Sequence, residues 1–191
     1  MFTLTSRRAL LGAVAALVFG RATAAERPID AELRLAAQRN DLAGFRALLE
    51  RGADVNARDA QQNSAFLLAA RNGHAELVRA AIAAGADLKA LNRFGSTALM
   101  GPAYRGHVET VRVLLATVID VHHVNQLGWT ALQEAIALGE DGPAHREIVR
   151  LLVDAGSDVN RPDRDGTRPL QHAERRGQPE VARILRAAGA R

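Results

Sequence analysis

The sequence predicts an all-α repeat solenoid: about five stacked copies of one turn–helix–helix unit. Three observations carry that prediction. A glycine motif recurs every 33 residues, as Gly73-His74, Gly106-His107 and Gly139, and returns 38 residues later at Gly177 after a five-residue insert. Other columns keep the same step: Gly52 to Gly85, Glu76 to Glu109, and Asp54, Asp87 and Asp120. Within a copy, apolar residues such as Val108, Val111, Leu114 and Leu115 fall at helical spacing. A period of this length marks supersecondary units that bury their apolar faces on their neighbours. Composition agrees: 191 residues, 48% hydrophobic but only 4% aromatic, suit thin helical layers better than a thick core. The absence of Cys excludes a disulfide framework, a zinc knuckle and a thiol nucleophile.

Residues 1–24 stand apart from the repeats. Arg7-Arg8 precede an apolar run of 11 residues, Ala9 to Phe19, which is short for a bilayer span of about 20 residues. Such a run fits the hydrophobic region of an export signal, and Ala22-Thr23-Ala24 supply small residues for cleavage before Ala25. Thr5-Ser6-Arg7-Arg8-Ala9-Leu10-Leu11 is similar to a twin-arginine (Tat) signal, with Leu10 where Phe is commoner and no following Lys; a general (Sec) signal is the other reading. Cleavage removes Arg7, Arg8 and Arg21 and no acid, so the formal charge of +4 falls to +1. A nearly neutral mature chain gives no footprint for nucleic acid. The expected location is the bacterial periplasm, without membrane insertion after cleavage, or a tether at the inner membrane if the signal is retained.

The first unit, 29–58, opens with Asp30 as the expected cap of its first helix. The second, 59–91, carries Gln62 at the turn position where Gly is expected. In the third, 92–124, Asn92-Arg93-Phe94-Gly95-Ser96 forms a turn and Thr97 can cap the helix that follows. Pro102 sits inside that helix and should shorten or distort it. Gly106-His107 stops it, and Val118-Ile119 replace the Gly-Ala that ends other copies. The fourth unit, 125–162, holds the insert Glu140-Asp141-Gly142-Pro143-Ala144, expected to lengthen the loop between its helices. The fifth, 163–191, stops at the end of its second helix, so both terminal units are shortened, as capping repeats should be.

Laid over one another, the copies resemble the ankyrin repeat. Asn125-Gln126-Leu127-Gly128-Trp129-Thr130-Ala131-Leu132-Gln133-Glu134-Ala135 and Asp163-Arg164-Asp165-Gly166-Thr167-Arg168-Pro169-Leu170-Gln171-His172-Ala173 follow its turn and first helix. Gly52-Ala53-Asp54-Val55-Asn56, Gly85-Ala86-Asp87-Leu88 and Gly156-Ser157-Asp158-Val159-Asn160 follow its ending. The resemblance covers about residues 29–191.

The histidines draw attention as possible catalysts or ligands. His74, His107 and His145 occupy the repeat's own His position, where local hydrogen bonding explains them. His122 and His123 are neighbours on an extended stretch and point opposite ways, a poor arrangement for one metal. His172, in the first helix of the last unit, is ambiguous. No nucleophile triad, phosphate-cradling loop or paired-carboxylate helix appears, and the periodic aspartates belong to the scaffold. The chain is therefore not expected to be an enzyme, and no cofactor or metal is expected.

The resemblance implies that partners meet the turn tips and the exposed face of the first helices, which line a concave groove. Carried over by position, the second repeat offers Arg58, Gln61, Asn63, Arg71 and Asn72. The third offers Arg93, Phe94, Ser96, Tyr104 and Arg105; the fourth Gln126, Leu127, Trp129, Ala137 and Leu138; the fifth Arg164, Asp165, Arg175 and Arg176. Phe94, Tyr104, Leu127, Trp129 and Leu138 are large apolar residues where polar ones would serve, the mark of a binding site. The expected partner-binding residues are Arg71, Asn72, Arg93, Phe94, Tyr104, Arg105, Gln126, Leu127, Trp129 and Leu138. Trp129 and Phe94 could instead pack on neighbouring turns. The expected role is a monomeric, non-catalytic module that binds a protein partner. The alternative is a dedicated inhibitor, immunity factor or chaperone-like subunit of one exported enzyme.

Overall fold

Each turn is built around one Asp or Asn. Asp59, Asn92, Asn125 and Asp163 stand at the base of four successive fingers, where each side-chain Oδ1 accepts the N–H groups two and four residues on. The same residue's N–H bonds the carbonyl four residues on, as Asn92 to Ser96 and Asn125 to Trp129, both 3.0 Å. A short carbonyl-bearing side chain can do this because it mimics a turn peptide. The fourth residue of the finger is left-handed: Gly95, Gly128 and Gly166 take φ of +71° to +83°, and Gln62 takes +62°.

The computed structural model describes residues 27–191. The proposed export segment lies outside the described residues. Ten helices are described, in chain order: α1 (Pro28–Arg39), α2 (Leu42–Glu50), α3 (Ala65–Arg71), α4 (Ala75–Ala83), α5 (Met100–Arg105), α6 (Val108–Leu115), α7 (Ala131–Ala137), α8 (Pro143–Asp154), α9 (Pro169–Arg175) and α10 (Pro179–Ala187). The odd-numbered helices stack on one another as an inner layer, and the even-numbered ones as an outer layer. Phe45, Phe66, Leu77, Leu99, Leu114, Leu132, Ile148, Leu152 and Leu185 are fully buried in one continuous core. No described helix is long and apolar enough to cross a membrane.

Gly73 shows why glycine recurs at the end of the first helix. Its φ is +80°, and a Cβ there would come within 2.6 Å of the His107 ring of the next repeat. The ring of the repeat's His then reaches back: His74 Nε2 to the Gln38 carbonyl at 3.4 Å, His145 Nε2 to the Tyr104 carbonyl at 2.8 Å. In the last repeat Gln178 stands in that column and donates to the carbonyls of Ile136 and Gly139, both 3.1 Å away. The bonds are thus not local; at these three positions they tie a repeat to the one before. Within the third unit, His123 Nε2 bonds the Gly95 carbonyl at 2.7 Å. Asn56 and Asn160 bridge successive repeat ends through both amide atoms.

Three expectations need correction. Asp30 does not cap α1: the helix starts earlier, with Pro28 at its first position, and Asp30 lies in its first turn. There its buried carboxylate accepts from Arg27 at 2.6 Å and from the Asp54 N–H at 2.8 Å, and the Arg27 bond holds it below the usual carboxylate range. Thr97 does not cap α5 either; its N-cap is Leu99, which makes no side-chain cap bond. The insert is only partly loop. Gly142 is the N-cap of α8, and Pro143 and Ala144 form the helix's first residues, so α8 runs 12 residues against 9 for α4. Val118-Ile119 cannot close α6 as Gly85-Ala86 close α4. There the Gly85 and Ala86 N–H groups bond Ile82 and Ala81. After α6 the Thr117 hydroxyl takes over, donating to the Leu114 carbonyl and accepting from the Ile119 N–H.

Candidate partner-binding groove

A single residue column runs along the inner layer: Leu35, Leu68, Gly101, Glu134 and His172. At Gly101 the side chain is missing. The α5 backbone presses so close to α3 that a Cβ would lie 3.1 Å from Arg71 Cα. Pro102, the next residue, has no N–H to bond the Ala98 carbonyl, and its ring would collide with it. The first turn therefore opens. α5 keeps six residues and starts at Met100, as the proline predicts. The Thr97 hydroxyl is left buried with no hydrogen-bond partner.

Bare backbone and shortened helix leave a groove of about 610 Å³ on the concave face between the second and fourth repeats. Its walls are finger residues, among them Gln61, Asn63, Arg93, Phe94 and Leu127, and helix residues, among them Leu67, Arg71, Tyr104 and Leu138. Of the residues expected from the sequence, Arg71, Arg93, Phe94, Tyr104, Leu127 and Leu138 line it together. Phe94, Leu127 and Leu138 are 53%, 56% and 48% exposed, so half of each of these large apolar side chains faces solvent in one place. Leu35 and Val118 are also exposed and lie elsewhere.

Asn72, Arg105, Gln126 and Trp129 do not line the groove. Asn72 is the C-cap of α3. Arg105 lies over the Tyr104 ring, 5.1 Å from its centre, and donates to Tyr104 Oη at 2.8 Å. Gln126 joins the fingers: its N–H bonds the Phe94 carbonyl and its own carbonyl accepts from Arg164. Trp129 packs on the next repeat. Its indole N–H donates to Asp163 Oδ2 at 3.3 Å, and its ring meets His172 edge-on at 6.3 Å. His172 donates to the same oxygen at 2.7 Å, which resolves its ambiguity in favour of the scaffold. Burial alone would raise the Asp163 carboxyl, but the bonds from His172, Trp129 and two backbone N–H groups hold it below its ordinary value.

Glu134 was not anticipated. It lines the groove, is 6% exposed, and accepts from Asn125 Nδ2 at 2.7 Å. Burial pushes its carboxyl up to about 7. Its signal is visible in the column: where Leu68 and Gly101 are non-polar, Glu134 and His172 are not, and each bonds the finger residue nine positions before it. Among the described residues no group of three or more His, Asp or Glu is placed to hold a metal ion.

Comparison with known proteins matches this arrangement. The family model "Ankyrin repeats (3 copies)" covers residues 33–125 and 117–191. The crystal structure of an ankyrin repeat domain from Acinetobacter baumannii AYE is similar with a TM-score of 0.81 and 46% identity, over 86% of this chain and 88% of that one. The Escherichia coli (strain K12) protein YahD is 42% identical over 59 residues, which is 31% of this chain and 29% of YahD. The shared segment is thus less than a third of that relative's length. Repeat period, finger chemistry, two-layer stacking and these matches together place the chain in the ankyrin repeat family.

Proposed function

We propose that this chain is a non-catalytic protein-interaction module, exported to the bacterial periplasm, that binds its partner in the concave groove between the second and fourth repeats. The observation that carries the reading is the clustering of Phe94, Leu127 and Leu138, each about half exposed, around one cavity on the inner face. Ankyrin repeats generally mediate protein–protein interaction and the family is typically non-catalytic. Export is supported by Arg7-Arg8, the apolar run Ala9 to Phe19 and Ala22-Thr23-Ala24.

Two experiments test the reading. Affinity capture from periplasmic extract should recover a partner with the parent chain and lose it with the double variant Phe94→Ala/Leu127→Ser; equal recovery by both sinks the groove assignment. Intact mass of the chain isolated from the periplasm should correspond to a start near Ala25. A full-length species held at the inner membrane would contradict cleavage and release.

A further inference from the structure

Among the described residues, arginines of the outer layer are mostly paired, Arg46 of α2 being the exception. On the outer layer Arg79 pairs with Glu76 and Glu109, Arg112 with Glu147, Arg183 with Glu180, and Arg186 with Glu174. At the groove Arg71 and Arg93 are exposed, and neither pairs with a carboxylate among the described residues. Arg93 is held in place by an aromatic ring: it lies 4.7 Å from the centre of the Phe94 ring. A guanidinium stacked this way keeps N–H donors along its edge, in the fork that suits a carboxylate. The one acid that lines the groove, Glu134, is a single buried group beneath it, against two exposed arginines at the rim.

The groove thus combines exposed apolar walls with a cationic rim. Its volume of about 610 Å³ admits a few side chains of a segment, not a folded surface. Resting on the groove reading above, we propose that the occupant is an acidic segment of the partner protein: one large apolar side chain seated against Phe94, Leu127 and Leu138, with neighbouring Asp or Glu carboxylates on Arg71 and Arg93. Apolar contact supplies most of the affinity and the arginines select acidic sequences and speed encounter.

The test is selection of a random dodecapeptide phage library on the full chain, followed by fluorescence polarisation with the enriched peptides. Enriched sequences should join Leu, Ile, Met or Phe to two or more nearby Asp or Glu. Arg71→Glu/Arg93→Glu should weaken their binding ~10-fold or more, and added salt should weaken the parent's. Enrichment of Lys- or Arg-rich peptides that Glu134→Gln abolishes would overturn the proposal. So would apolar peptides without acidic excess that the double arginine variant binds equally well; that result leaves the groove standing. If no enriched peptide depends on Phe94 and Leu127, the groove reading itself fails and the proposal with it.

Discussion

Glu134 sits where a carboxylate is costly, beneath a groove, with the Asn125 amide and the Ser96 hydroxyl as its polar partners. Its folded value of about 7 lies above the ordinary 4.5 because burial disfavours the charge. Between those values the folded chain holds a proton that the unfolded chain releases. The contribution of Glu134 to stability is therefore full below the ordinary value and falls as pH rises, flattening past about 7. The loss is on the order of 3 kcal/mol. Glu134→Gln should remove this slope and leave the variant more stable than the parent at alkaline pH, as urea unfolding at several pH values would show. An identical slope in both chains would refute the assignment. Thr110 offers a second check. Its hydroxyl is buried in α6 with no partner, in the column of Leu77 and Ile148. Thr110→Val keeps the shape and drops the orphan group, so unfolding should become harder by ~1 kcal/mol. At this scale the sequence was only partly legible. Phe94, Leu127 and Leu138 were visible because exposed apolar residues break the repeat's rules. Trp129 broke the same rule, yet its N–H is spent on Asp163, a contact between residues 34 positions apart that no local pattern displays. Glu134 escaped notice because a polar residue on a first helix looks like an exposed one until the fingers fold over it.

At the scale of the element, α5 is the irregular one. Ser64 and Thr130 cap α3 and α7 by accepting from Leu67 and Gln133. Thr97 holds the same place before α5, but Pro102 blocks the turn it would cap. Pro102→Ala should let that helix begin at Ala98, about half a turn earlier, with the Thr97 hydroxyl accepting the Met100 N–H. The expected gain is ~1 kcal/mol, with slower amide exchange at Met100. Unchanged exchange there would mean that Gly101, not Pro102, sets the start. The second finger is strained differently. Gln62 takes a left-handed conformation that its counterparts Gly95, Gly128 and Gly166 adopt freely. Gln62→Gly should add ~0.5 kcal/mol in thermal unfolding, and a loss would mean the side chain makes a contact that outweighs the strain. The sequence displayed the short α5 and the deviant turn directly, since proline and glycine act through backbone geometry alone. It did not display that Pro143 starts α8 instead of lengthening a loop. Proline suits both a loop and the first turn of a helix, and the neighbouring stack decides between them.

The whole molecule is a one-dimensional stack, and its surfaces divide by layer. Hydrogen bonds from His74, His145 and Gln178 run backward to the preceding repeat, and ion pairs such as Arg79 with Glu109 link neighbouring outer helices. The exposed ion pairs each add little, ~0.5 kcal/mol or less; the core and the buried bonds hold the stack. This architecture was legible from the period, because each copy repeats the same Asp or Asn, Gly and Leu positions. The groove was legible only in part, through Phe94, Leu127 and Leu138; its depth was not, because it arises where copies differ, at Gly101 and Pro102. Its occupancy is open to direct measurement by placing a photo-cross-linking amino acid at Leu127 in one chain and at Val118 in another, then irradiating each in periplasmic extract. Both positions are exposed, 56% and 92%, but only Leu127 lines the groove. A protein adduct from Leu127 and none from Val118 is the expected result. Adducts of equal yield from both, or from Val118 alone, would contradict binding in the groove.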